Sequence, residues 1–165
     1  MSNITDFMEY SEVRAVLGLS EFELSDDTLD LPMHARQLDR KLRLVTGVYK
    51  TQQSANLLYV FNDLLAQPTL TGDEQEFLEM IQQFALYSVA VGILPGLSLT
   101  ALKASSDGKT TETRFSSEKT FVETQNLVKD ELDSLTLWLW GKMGVEVGAA
   151  PILAQVTSAT DRVTG

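Results

Sequence analysis

Phe121, Gln125, Val128, Leu132, Leu135 and Leu139 recur at spacings of four, three, four, three and four residues. That period puts all six on one stripe of a single helix. With Ser116 or Ser117 as its cap, the segment predicts a helix of about Glu118 to Trp140, roughly 35 Å long at 1.5 Å per residue. A helix of that length needs shorter helices to cover its apolar stripe, so the stretch commits the chain to a mainly α architecture.

The upstream sequence supplies them. Ser11 reads as the cap of a short helix over 12–17, and Gly18 as its left-handed terminator. Ser20 to Glu23 has capping-box spacing, and Ser25-Asp26-Asp27 places a cap oxygen and two first-turn carboxylates at a second helix start. Leu31, Ala35, Leu38, Leu42 and Val45 form the next apolar face, with Pro32 at the entrance and Gly47 near the exit. The run from Gln52 to Gln67 reads as an apolar, buried helix closed by Pro68. Thr71-Gly72-Asp73-Glu74 then opens a long helix that Pro95-Gly96 should terminate.

From Leu97 the texture changes. LSLTALKASSDGKTTETRFS is rich in Thr and Ser and centres on Asp107-Gly108, which predicts a β-hairpin over about 98–115. After Trp140 come Gly141, Gly144 and Gly148, followed by a nearly uncharged segment without helical period, read as an extended arm. The expected fold is therefore mainly α. It is a helical bundle with a β-hairpin insertion, a long C-terminal helix and an extended C-terminal arm, divided as 1–147 and 148–165.

The residues argue against most chemistry. There is no cysteine among the 165 residues, and the one histidine, His34, lacks a partner with metal-ligand or catalytic spacing. Glu21, Glu23, Asp26, Asp27 and Asp30 lack the alternating oxygen spacing and mid-loop glycine of a calcium loop. Neither GxGxxG nor GxxxxGK[ST] occurs, so no nucleotide, metal or other cofactor is expected and the chain does not read as an enzyme. The N-terminus lacks the basic and apolar regions of a secretory leader, and no stretch reaches eighteen uninterrupted apolar residues, so no membrane association is expected.

Charge is distributed in blocks. Residues 1–33 carry −7, 34–50 carry +4, 51–96 carry −5 and the remainder −2, for a total of −10. Net acidity disfavours nucleic-acid wrapping, which needs a surplus of Lys and Arg on one face. Adjacent acidic and basic blocks instead offer complementary faces for contact between copies. Asp26 and Asp27 on one side, with Arg36, Arg40 and Arg43 on the other, are the candidate interface residues. Trp138 and Trp140 occupy neighbouring positions and so point in different directions, which makes them candidate interface anchors as well as candidates for packing at a helix end.

The opening Glu12-Val13-Arg14-Ala15-Val16-Leu17-Gly18, the acidic link Leu24-Ser25-Asp26-Asp27-Thr28-Leu29 and the helix after it resemble the start of head-tail connector proteins of tailed bacteriophages, the head completion or adaptor subunits. The helical body, long final helix and terminal arm extend that resemblance. It implies a homo-oligomeric ring, usually of twelve subunits, docked on the portal protein and joined to a downstream tail or neck protein. DNA would pass through the lumen without specific binding, and the protein, made in the host cytoplasm, would reside in the virion neck. By position in the chain, ring contacts would fall in the helices of 12–95, a coupling role in Glu118 to Trp140, and portal contact in the arm, at Pro151, Ile152, Leu153, Val156 and Val163. The alternatives are a tail-completion or terminator protein, which calls for more strand, and a non-viral cytoplasmic helical adaptor that needs no ring.

Overall fold

The computed structural model describes residues 3–104 and 118–144, with side chains over 3–97 and 122–144. Within them a 3-10 turn (Ile4–Asp6) precedes α1 (Tyr10–Leu17), α2 (Asp26–Leu29), α3 (Pro32–Leu44), β1 (Thr46–Tyr49), β2 (Gln52–Asn56), α4 (Leu57–Leu65), α5 (Gly72–Ala104) and α6 (Glu118–Lys142). The protein is mainly helical, with one small antiparallel sheet.

Helix α5 is the spine. It packs against α1, α3, α4 and α6, and buries Phe77, Ile81, Phe84, Ala85, Val89, Ala90, Ile93 and Leu94. Gly72–Leu97 is long and apolar enough, by length and composition, to cross a bilayer. Half of its apolar window is covered by the other helices, which is how a core helix reads. Its start is the predicted capping box: the Glu74 carboxylate accepts from the Thr71 amide and hydroxyl at 3.0 and 2.9 Å, and the Glu74 amide donates back to Thr71 Oγ1 at 3.3 Å.

Pro95-Gly96 does not end α5, contrary to expectation. Pro95 lies inside the helix, which continues to Ala104. A proline deletes one backbone donor, and Pro95 and Gly96 sit on the exposed side where water can serve the carbonyl left over, while Ile93 and Leu94 hold the core face. The predicted hairpin is corrected by the same observation. Its first strand, from residue 98, is helix through Ala104, in keeping with the helix formers of TALKA. The Asp107-Gly108 turn and the second strand lie outside the described residues.

A hairpin does exist, earlier in the chain. β1 and β2 pair in the register Thr46↔Asn56, Gly47↔Ala55 and Tyr49↔Gln52, with an irregularity between Gly47 and Tyr49. Its two-residue loop puts Lys50 at φ 52°, the left-handed region that a non-glycine residue enters at a cost. The Lys50 ammonium is held 2.8 Å from the Asp63 carboxylate of α4 and 3.8 Å from the Glu74 carboxylate of α5, with the Tyr49 hydroxyl donating to Asp63 at 3.2 Å. The helix expected from Gln52 therefore begins only at Leu57, where Asn56 Oδ1 accepts from the Tyr59 amide at 2.9 Å.

The other start signals hold with one shift. Gly18 has φ 66° and closes α1 as predicted, but α1 begins at Tyr10 with Glu9 as its cap residue, one turn-edge earlier than a Ser11 cap implies. Ser25 caps α2, its Oγ accepting from the Thr28 amide at 3.3 Å. Helix α6 runs antiparallel to α5, since Phe77 stacks edge-on against Trp138 at 6.1 Å while Tyr87 faces Glu131 further along. Its stripe faces the core through Val128, Leu135 and Leu139, with Leu132 half-buried. Beyond α6, the Val48 amide of β1 donates to the Met143 carbonyl at 2.8 Å, so the chain leaves the helix along the hairpin edge.

Candidate functional site

Between α1 and α2 the chain makes a braced acidic turn. Leu19 and Leu24 are buried, and the Glu23 carboxylate accepts from the Ser20 amide at 2.8 Å and the Ser20 hydroxyl at 2.7 Å. The Arg14 guanidinium donates to the Leu24 carbonyl at 3.4 Å and pairs with Asp26. At the apex of the turn Phe22 is fully exposed, at 103%. A large aromatic held in water by a pinned turn is the outlier of this surface, whereas scattered exposed apolar residues are ordinary.

The wall behind this turn is also fixed. The Tyr10 hydroxyl donates to Asp30 at 2.8 Å, and burial first, then that carboxylate, raises its pKa to about 12. Tyr10 therefore remains a neutral donor at physiological pH.

Helix α3 presents two opposite faces. His34, Leu38 and Leu42 point into the protein. Met33, Arg36, Arg40 and Leu44, at spacings of three, four and four, line the exposed face for about 16 Å of helix. Of the predicted interface set, Asp26 is engaged by Arg14, and Arg43 pairs with Asp39 four residues back on its own helix at 2.9 Å. Asp27, Arg36 and Arg40 are exposed and have no ion-pair partner among the described residues. Of the five, Asp26 and Arg43 are thus engaged within the chain.

The two tryptophans are half-buried against the core. Trp138 meets Phe77 edge-on at 6.1 Å, and the Lys142 ammonium lies 5.7 Å from its ring centre. Trp138 thus packs at a helix end, and both indoles keep part of their surface exposed. Pro151, Ile152, Leu153, Val156 and Val163 lie outside the described residues.

A cleft of about 370 Å³ runs between the N-terminal segment and α5, lined by Phe7, Met8, Glu12, Glu79, Gln82, Gln83 and Leu86. Among the described residues its polar rim carries no base, and Glu12 is already bonded to the Glu9 amide at 2.7 Å. Among the described residues no group of three or more His, Asp or Glu side chains is placed to hold a metal ion. His34 is buried with Nδ1 unpartnered, and burial lowers its pKa, so the imidazole is neutral.

No family model matches the chain, no curated protein matches its sequence, and no solved structure matches its fold. Phe22 is the residue that sequence reasoning missed. The sequence marks it only as an aromatic between Glu21 and Glu23 in a turn, because capping spacing accounts for Ser20 and Glu23 and says nothing of the ring.

Proposed function

We propose that this chain is a structural assembly protein, a ring-forming head-tail connector that docks on a portal, continues a DNA channel and joins head to tail. The observation that carries the reading is a pair of exposed, oppositely charged faces on one helical body, Glu21 and Asp27 on the turn and α2, Arg36 and Arg40 on α3, with no ion-pair partner among the described residues. Heterologous contact between such faces propagates from copy to copy and closes into a ring where the rotation allows. The net charge of −10 suits a wall that repels the DNA phosphates passing through it. The resemblance of the opening helices to connector subunits supports the same assignment, with residues 148–165 as the portal-contacting segment.

The test is light scattering coupled to size exclusion on the full chain, alone and mixed with a portal ring. The connector reading requires self-association and co-elution with portal. A chain that remains a monomer and never binds portal overturns it and leaves the cytoplasmic adaptor. Removing residues 148–165 should abolish portal binding while helical circular dichroism is retained; loss of helix on truncation would make that segment part of the core.

A further inference from the structure

We infer that the braced turn of one copy docks on the exposed face of α3 in a second copy, with Phe22 as the apolar knob. This deepens the proposed assembly function and rests on it. The donor surface is Phe22 flanked by Glu21 and followed by Asp27; the acceptor is the stripe Met33, Arg36, Arg40, Leu44. Both surfaces are amphipathic in complementary ways. The turn carries an aromatic among acids, and the stripe carries bases between two exposed apolar residues, Met33 and Leu44, 51% and 52% exposed.

Charge selects the occupant. Among the described residues Asp26 is claimed by Arg14 and Arg43 by Asp39, and the cations on this face with no ion-pair partner there are Arg36 and Arg40. The cleft beside α5 offers an apolar floor of Phe7, Met8 and Leu86, but its carboxylates are Glu12 and Glu79. A knob bracketed by Glu21 and Glu23 would meet like charge there, which penalises the wrong contact. The α3 stripe supplies the opposite sign along with apolar contact.

Rigidity makes the knob effective. Leu19 and Leu24 are buried beneath it, and the Glu23 bonds to Ser20 and the Arg14 bond to the Leu24 carbonyl fix the turn before any partner arrives. Little ordering entropy is then lost on docking, and an aromatic at the centre of a contact is the residue type that most often dominates its affinity.

Sedimentation velocity on the full-length protein over a wide concentration range tests the contact. Phe22→Ser, the pair Glu21→Arg with Asp27→Arg, and the pair Arg36→Glu with Arg40→Glu should each weaken self-association about tenfold or more, with helical circular dichroism retained at the temperature of the measurement. Mixing the two charge-reversed proteins should restore assembly, because each knob then faces a stripe of opposite sign in an alternating order. If the wild-type chain assembles but the Phe22→Ser protein assembles equally well, or the reversed proteins fail to rescue one another, the docking contact is overturned while the connector reading stands. A wild-type chain that is monomeric throughout overturns both. Assembly through this contact without portal binding upholds the contact and overturns the connector.

Discussion

The Lys41 ammonium donates to the backbone carbonyl of Ser88 at 3.1 Å, bridging α3 to the middle of α5. One turn along the same interface a Cβ placed on Gly92 would stand 3.0 Å from Gln37 Oε1. The two contacts run in opposite order along the helices, so α3 lies antiparallel to α5, and the interface beneath His34, Leu38 and Leu42 is partly polar. Burial lowers the pKa of Lys41, which nonetheless keeps its long stem against the core. Lys41→Met should change stability by less than about 1 kcal/mol, because methionine preserves the stem and the Ser88 carbonyl remains within a helix; Lys41→Ala should cost about 1–2 kcal/mol. Urea unfolding of the two variants checks the order.

His34 sets a pH dependence. Burial depresses its folded-state pKa below the ordinary 6.5, so the unfolded chain binds the proton more readily. The stability held above pH 6.5 is then lost as pH falls through the folded-state pKa. In His34→Leu that contribution should vanish, so the urea midpoint of the variant should rise relative to that of wild type from pH 7.5 to pH 5.5. A constant gap would show that the imidazole is not buried neutral.

Gly92 should accept one methyl group but no more. Gln37 is exposed and its amide can swing aside, while alanine removes the helical cost of glycine, so Gly92→Ala should be neutral or stabilise by up to about 1 kcal/mol. Gly92→Leu must part α3 from α5 and should cost about 1–3 kcal/mol. Thermal melts of both variants discriminate a close approach from open space.

Trp138 belongs to the fold of a single chain. Its edge-on contact with Phe77 joins the end of α6 to the start of α5, and Trp138→Ala should lower stability by about 2–4 kcal/mol even at concentrations where the protein is monomeric. Trp138→Phe should recover part of the loss. An anchor used only by a partner would leave the monomer's urea midpoint unchanged.

The sequence by itself determined the helical class, the stripe of α6 from Val128 to Leu139, the left-handed stop at Gly18, and the caps at Ser25 and Thr71. Each depends on residues within one or two turns of one another, where sterics and local hydrogen bonding decide. Only the tertiary structure decided that Gln52 to Asn56 is a strand, since its exposed Gln-Gln-Ser carries no alternation and its form comes from pairing with β1. The continuation of α5 through Pro95 was likewise undecidable locally, because it depends on which side of the helix the proline faces. The same limit applies to the surface. Capping logic accounts for Ser20 and Glu23 but cannot show that Phe22 points fully into water, or that Arg14 and Asp39 claim Asp26 and Arg43 while Asp27, Arg36 and Arg40 have no ion-pair partner among the described residues. Which charges remain unpaired is a property of residues brought together across the chain, and spacing along a helix does not encode it.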